Sequence, residues 1–509
     1  MSRKHLIFSV YFLYLSLAIL YILKPVRFVA PPAADLSAFT RELDVRIPRA
    51  MRESGVPGVS IALIQHGEVV WVKGYGLANV ETRELVSAQT VFQAASISKT
   101  VTAWGVMKLV EGGKLDLDAP AETYLRRWHF HPSSFDSNKV TIRHLLSHTS
   151  GLAAADYLGY PLGQPLPSLE QSLTNGPPAL IGRMKDFPGT RYSGPVRLTA
   201  PPGQAFLYSD ANFVVLQLII EEVSGESFTD YMQREVLSPL GMTDSSFART
   251  PELIARTAIP YDVHGKPLPD YAFTELASAG LYTTTTDLAH FVASALVRAD
   301  SGPVGRGVIS PDSIHLMTSP AVSISGFDNW LYANAYGLGY YIDPMHNGGT
   351  LLSQSGGNLG WTCEFAAFPS TGDGIVIMNN SSVGHEVFAH ALTAWTDWLG
   401  RDETHIAYAI LMGRRTFQTL SFSLLGIALI LFAQFIIRIH SGVRQFRLAH
   451  LPLSRVVIGA LCVTALIAYW MVSHPWMQIN IPSQPSAMLW GVNLLGLAIL
   501  LNTFSLQDT

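Results

Sequence analysis

The chain has 509 residues, 48% of them hydrophobic and 14% charged, and 34 Lys+Arg against 38 Asp+Glu leave a net charge of −4. So apolar a composition excludes intrinsic disorder as the main state, and the absence of a basic excess excludes a nucleic-acid binder that works by neutralising phosphates. The mean hydropathy of +0.25 points to a chain partly embedded in a lipid bilayer, and two cysteines, Cys363 and Cys462, cannot build a disulfide framework.

The first element is an apolar run at 6–23, with Arg3 and Lys4 before it and Lys24 after it. As a helix it would span roughly 27 Å, close to the hydrocarbon thickness. It reads as an N-terminal anchor or a signal peptide, and the small residues around Ala30–Ala34 suit cleavage. The positive flank points inward in either case, so the chain beyond the run is expected to be exported. Val59–Ile64 and Val69–Val72 form a predicted hairpin around His66-Gly67. A helix is predicted over Thr100–Val110, ending at Gly112-Gly113. Loops rich in Gly and Pro fill 150–205, and a second helix at Phe213–Val223 stops at Gly225. Trp361–Phe368 and Gly374–Asn379 are predicted strands, and Phe388–Leu399 a closing helix. Cys363 falls on the first of these strands as a buried residue without a partner. Strands at both ends with helices between predict an α+β domain whose terminal strands share one sheet.

Three further apolar runs lie at about 417–437, 455–473 and 485–504. Arg438, Arg444, Arg447 and Arg455 surround the first connection, whereas His474–Ser483 holds no Lys or Arg. The first connection is therefore expected in the cytoplasm and the second outside, with Arg414 and Arg415 opposing this orientation. No Asp, Glu, Lys or Arg lies in the core of any run. That predicts an anchor in the bilayer, with contact to a hydrophobic substrate as a further role, and speaks against a transport path. The expected organisation is a signal peptide or anchor at 1–34, an exported domain at 35–403, a linker at 404–416 and three membrane helices at 417–509.

The first candidate for chemistry is Ser96-Ile97-Ser98-Lys99. On a helix, residues three apart share a face, so the Ser96 hydroxyl and the Lys99 amine can meet. A lysine serves as base for a serine when burial or nearby cations make its neutral form accessible. The spacing alone is common by chance, but further blocks succeed it in order: Gly112-Gly113-Lys114-Leu115-Asp116, Thr141–Leu152 with its Ser147-His148-Thr149-Ser150-Gly151, Tyr208-Ser209-Asp210, Ser278-Ala279-Gly280-Leu281 and Ser355-Gly356-Gly357-Asn358. Over about residues 40–400 the set resembles the serine hydrolases that include class C β-lactamases, D-Ala-D-Ala carboxypeptidases, D-aminopeptidases and related esterases. The resemblance implies a serine β-lactamase/penicillin-binding-like α+β domain, with an antiparallel sheet flanked by helices and a helical subdomain. It implies Ser96 as the acylated nucleophile, Lys99 as its base partner and Tyr208 as a proton relay to the leaving group. It also implies an oxyanion hole from the backbone N–H groups of Ser96 and Gly357, a substrate-binding set of Asp210, Asn212, Gln354, Ser355 and Gly356, and no cofactor or metal. His144 and His148 have metal-like spacing but lack the following Glu of a zinc motif; like His129 and His131 they are expected to be structural.

Two departures bear on substrate. Many relatives carry Lys or His where Gln354 stands, a cation that holds a substrate carboxylate. A neutral amide there forfeits about 1–2 kcal/mol of charge assistance, which predicts a substrate without a carboxylate beside the scissile bond. Asp210 stands where class C enzymes have Asn; an ionised Asp accepts hydrogen bonds but cannot donate to an acyl carbonyl. Asn212 is the candidate to compensate. The architecture of export segment, hydrolase domain and three C-terminal runs resembles the periplasmic D-asparaginyl peptidases that activate nonribosomal peptide–polyketide prodrugs, the colibactin-maturation type. The expected activity is a membrane-anchored serine peptidase or amidase on a small peptide-like or acylated substrate. The alternatives are an esterase or penicillin-binding hydrolase on the same scaffold, and a non-catalytic membrane sensor. The joint presence of Ser96, Lys99 and Tyr208 opposes the sensor.

Overall fold

The computed structural model describes residues 35–153, 155–176, 194–326, 331–345, 349–440, 444–446 and 505–507. The chain divides into one compact unit of residues 28–407 and another of residues 1–27 with 408–509.

Nine strands of the first unit make one antiparallel sheet: β1 (Gly58–Gln65), β2 (Glu68–Asn79), β3 (Glu84–Leu85), β4 (Val322–Ser323), β5 (Ala335–Tyr336), β6 (Tyr341–Pro344), β7 (Thr350–Asn358), β8 (Trp361–Phe368) and β9 (Asp373–Asn379). Their spatial order is β3-β2-β1-β9-β8-β7-β6-β5-β4. β1 pairs with β9 from Val59↔Asn379 to Ile64↔Gly374, so strands from the two ends of the unit do share one sheet. The β1–β2 hairpin closes through His66 and Gly67 at φ 49° and 73°, the left-handed pair that matches the twist of the flanking strands.

The described helices that place the site are α1 (Leu36–Ser54), α2 (Ile97–Glu111), α3 (Ile142–Leu146), α4 (Asp210–Ser224), α5 (Leu276–Ala279), α6 (Thr285–Ser294) and α7 (His385–Trp398). No element was expected over the residues of α1. Its start is fixed by the Asp35 side chain, which accepts from the Ala38 N–H, and its end by Gly55 at φ 76°, a conformation that suits glycine.

Side chains along a strand alternate between faces, and β8 shows what each face covers. Phe365 meets Tyr340, whose hydroxyl accepts from Trp104 Nε1 of α2 at 2.8 Å. Phe368, on the opposite face, stacks on Trp395 of α7, and Trp398 of α7 stacks on Phe39 of α1 at 4.4 Å. The sheet thus separates the α1–α7 layer from a larger helical layer built around α2. α2 is apolar nearly all round and buries residues on every side, as a central helix does.

Helix α8 (His405–His440), which belongs to the second unit from Tyr408 onward, runs through the apolar stretch expected at 417–437 and exposes large apolar side chains, among them Phe422, Leu429 and Ile437. Among the described residues no helix is long and apolar enough to cross a membrane. The expected spans at 6–23, 455–473 and 485–504 lie outside the described residues.

Candidate active site

The nucleophile candidate sits at a sharp turn. The short strand Val91–Gln93 pairs with Tyr282–Thr284 and leads into Ala95 at φ 43°. A left-handed alanine costs energy that surrounding structure must offset, and such strain concentrates at functional sites. Ser96 comes next as the N-cap of α2, but its hydroxyl makes no capping bond. Lys99, one turn on, donates to it instead, Nζ to Oγ 3.0 Å.

Lys99 has no exposed surface, and an ammonium buried in this way needs acceptors for all three of its hydrogens. They are Ser96 Oγ, the Ser278 carbonyl at 2.8 Å and Asp210 Oδ1 at 2.6 Å. The Ser278-Ala279-Gly280-Leu281 block thus supplies a backbone acceptor on α5, a role the sequence reading did not assign. Asp210 opens α4, where the helix dipole favours a carboxylate. Its second oxygen accepts from the Tyr157 N–H at 2.9 Å. Asp210, expected to bind substrate, therefore turns both oxygens to the protein, since a buried ammonium must have its charge paired.

Tyr208 is held by its surroundings. Its hydroxyl lies close to Ser96, its ring centroid lies 5.1 Å from Lys99 Nζ, and the His148 ring packs against it, tilted by 33°, at 4.3 Å between centroids. Burial, then the neighbouring Asp210 carboxylate, push the phenol well above its ordinary value, although its contact with Ser96 acts the other way. Tyr208 is accordingly a neutral hydroxyl. His148 is fully buried and driven well below its ordinary value, first by burial and then by the Lys99 charge. Its Nδ1 accepts from Asn212 Nδ2 at 2.9 Å and from the Ser209 N–H at 3.3 Å, which fixes the proton on Nε2. Asn212 is fully buried and also accepts from Ser150 Oγ. It thus braces His148 and does not line the cleft as expected. The Ser147–Gly151 block closes against the loop at 200–207, where Leu207 N donates to the His148 carbonyl at 2.8 Å and Gly203 N to that of Thr149 at 2.7 Å. A Cβ on Gly151, at φ 77°, would lie 2.1 Å from the Ala200 carbonyl oxygen.

The far wall is β7. Its ladder with β6 ends at Tyr341↔Ser353, whereas that with β8 continues to Asn358↔Trp361. Among the described residues no strand covers the outer edge of 354–358, and such an edge can pair with an extended backbone. A Cβ on Gly356 would fall 2.4 Å from Cys363 Sγ, 2.5 Å from the Ala94 carbonyl oxygen and 3.2 Å from Ser96 N. Glycine here lets β7 run directly against the Ser96 amide. Gly357 is exposed, with open space at its Cα. Gln354 is 1% exposed. Its amide donates to the Ser355 carbonyl at 3.1 Å and accepts from Tyr336 at 3.4 Å, so no cation stands at this position. Ser355 gives its hydroxyl to Glu364 on β8, on the side away from α2.

The arrangement places a serine hydroxyl between an ammonium and a phenol, with a carboxylate behind the ammonium. That is machinery for serine acylation and proton transfer to a leaving group. His144 caps α3 through Thr141, and His129 pairs with Glu122 at the surface. Among the described residues no group of three or more His, Cys, Asp or Glu is placed to hold a metal.

The β-lactamase family model matches residues 43–397. Protein flp of Staphylococcus aureus strain N315 is 28% identical over 345 residues, which take in 67% of this chain and 63% of that protein. The chain therefore spans less than two thirds of that relative's length. The putative penicillin-binding protein PbpX of Bacillus subtilis is 27% identical over 60% of this chain and 67% of its own length. Among solved structures, the octameric penicillin-binding protein homologue from Pyrococcus abyssi has a TM-score of 0.58 and 29% identity, covering 72% of this chain and 80% of that one. The D-alanine carboxypeptidase AmpC of Burkholderia cenocepacia has a TM-score of 0.55 at 20% identity, over 72% and 99%, a likeness of fold. The chain belongs to the β-lactamase family and has the α+β fold of its penicillin-binding members.

Proposed function

We propose that this protein is an amidase or peptidase that forms an acyl-enzyme on Ser96 and cleaves a peptide-like bond with no carboxylate beside it. The observation that carries the reading is Gln354, buried and turned to Tyr336, where a carboxylate-binding cation would stand. In this reading Lys99 and Tyr208 move the protons. The N–H groups of Ser96 and Gly357 receive the developing oxyanion, where one well-aimed donor contributes about 3–4 kcal/mol. Ser355 and Gly356 shape the substrate-side edge of β7. An N-acyl-D-asparaginyl amide, the cap removed from some nonribosomal peptide prodrugs, is the first specific substrate, since its scissile amide bears no carboxylate. The names of the PbpX and AmpC relatives favour a second reading, hydrolysis of D-Ala-D-Ala peptides, which Gln354 opposes.

The same reading places the enzyme on the outer face of a bacterial inner membrane, held by the run at 6–23 and the three C-terminal runs. The exposed apolar side chains of α8 support it. Carbonate washing of membranes tests this: the protein is expected to stay in the pellet, and release into the wash would refute the anchor.

Membranes carrying wild type or Ser96→Ala test the chemistry on an N-acyl-D-asparaginyl amide, its L-enantiomer, the matching ester and a D-Ala-D-Ala peptide. Ser96-dependent cleavage of the D-asparaginyl amide alone is the expected result. Turnover that survives Ser96→Ala would refute the acyl-enzyme, and preference for the D-Ala-D-Ala peptide would replace the substrate reading with the second one.

A further inference from the structure

The geometry around Lys99 raises a problem for its assumed role. A lysine that accepts the serine proton must be neutral, with its lone pair on Ser96 Oγ. Here the amine faces three acceptors, Ser96 Oγ, the Ser278 carbonyl and Asp210, which is the surrounding of an ammonium with all its hydrogens placed. The other groups in reach do not relieve it. Tyr208 is a neutral phenol. His148 has its Nδ1 lone pair occupied by Asn212 and Ser209, and Gln354 is an uncharged amide. The one anionic acceptor in contact with Lys99 among the described residues is Asp210, at 2.6 Å.

We propose that Asp210 is the proton acceptor behind Lys99, so that Lys99 first passes a proton to Asp210 and then takes the serine proton during acylation. This inference rests on the reading of Ser96 as nucleophile. The short contact and the Tyr157 N–H on the second oxygen hold the carboxylate in line for the transfer. The transfer exchanges a buried ion pair for two neutral groups, a change that a low-dielectric site favours over separating the charges. Rotation about Cε–Nζ then turns the amine lone pair to Ser96. Oγ forms its bond to the acyl carbon while its proton moves to Nζ and the carbonyl pair moves to oxygen. On collapse the C–N bond breaks, the leaving amine takes the Tyr208 hydroxyl proton, Lys99 replaces it, and Asp210 returns its proton to Lys99. Asp210 acts through Lys99 and is a positioning and proton-holding residue. The Asn found there in class C relatives has no site for that proton.

The charged and titratable groups around the pair and its Tyr208 neighbour are Tyr208, Tyr157 and Glu275 beside Asp210, His148 beside Lys99, and Asp156 and Tyr332 beside Tyr208. These surroundings are common to wild type and variants, so the difference between their pH profiles reports Asp210. The readout is the second-order rate of labelling by a fluorophosphonate probe, on the full chain in detergent, across about pH 5–10. A pair that shares one mobile proton gives a flat wild-type rate above a low acid limb, whereas Asp210→Asn makes Lys99 lose its proton to solvent. The acid limb is then expected to move up by at least about one pH unit. The rate should fall about tenfold or more near pH 6 and recover near pH 9, and Asp210→Glu should restore the low limb. If Asp210 only holds the ammonium, the limb of Asp210→Asn moves down or stays, and either result overturns the proposal. Should Asp210→Asn fail to fold by circular dichroism, the wild-type profile decides. A flat rate supports the relay, and a rate rising about tenfold per pH unit through neutrality overturns it. Labelling that survives Ser96→Ala would overturn the nucleophile reading itself, a failure separable from that of the relay.

Discussion

Glu364 gives the most quantitative test of the fold that supports the site. It lies on β8 opposite Ser355, is 1% exposed and receives the Ser355 hydroxyl. Burial pushes its carboxyl from 4.5 up to about 8, against a smaller opposite effect of the Ser355 hydrogen bond. The folded chain therefore holds this proton across a range where the unfolded chain has released it. Below about pH 4.5 both states are protonated and the group's contribution is fully present; it declines as pH rises and is lost once pH passes about 8. At about 1.4 kcal/mol per unit the whole span is worth about 5 kcal/mol, of which about 3–4 falls between pH 5 and 8. Glu364→Gln keeps an acceptor for Ser355 but carries no charge at any pH, so its stability should lack this slope. Urea unfolding of wild type and variant at both pH values checks it. The variant is expected to lose about 3–4 kcal/mol less than wild type between them, and equal losses would refute the reasoning.

Other perturbations address the site directly. Gly356→Ala would put a methyl against Cys363 and the Ala94 carbonyl, forcing β7 away from Ser96; labelling by a serine probe should fall about 10²–10³-fold, the effect of one lost oxyanion donor, and an unchanged rate would sink this view of the wall. Tyr208→Phe keeps the ring contact with His148 but removes the hydroxyl near Ser96. kcat should fall about 10²–10⁴-fold with the thermal midpoint almost unmoved, and undiminished turnover would exclude Tyr208 from proton transfer. Asn212→Ala leaves Ser150 Oγ and a His148 bond unmade in a fully buried place. About 2–4 kcal/mol of stability should be lost, and a loss below 0.5 kcal/mol, measured by denaturant unfolding, would show that the brace is dispensable.

The hairpin at His66-Gly67, the helix ending at Gly112, the helix stopping at Gly225 and strand Trp361–Phe368 were legible because each carries its own local signal: a turn pair, a glycine stop or a β-rich run. Helix α1 was not legible because Pro48 lies inside it, a residue that by itself argues against a helix. The pairing of Ser96 with Lys99 was legible for a like reason, since a helix brings residues three apart together wherever it forms.

The partners of Lys99 were a different matter. Asp210 and Ser278 reach it from positions 111 and 179 residues further along the chain, and no local periodicity encodes such a meeting. Residue type alone gave Asp210 as an acceptor and Gln354 as neutral, because those are properties of the side chains. Which donor each would face depended on burial. Where side chains are withdrawn from solvent, an ammonium and a carboxylate must find each other, an asparagine must satisfy both ends of its amide, and Gln354 turns to Tyr336. Order along the chain thus set the reacting pair, and the exclusion of solvent by α2, α4, α5 and the sheet decided how that pair is charged.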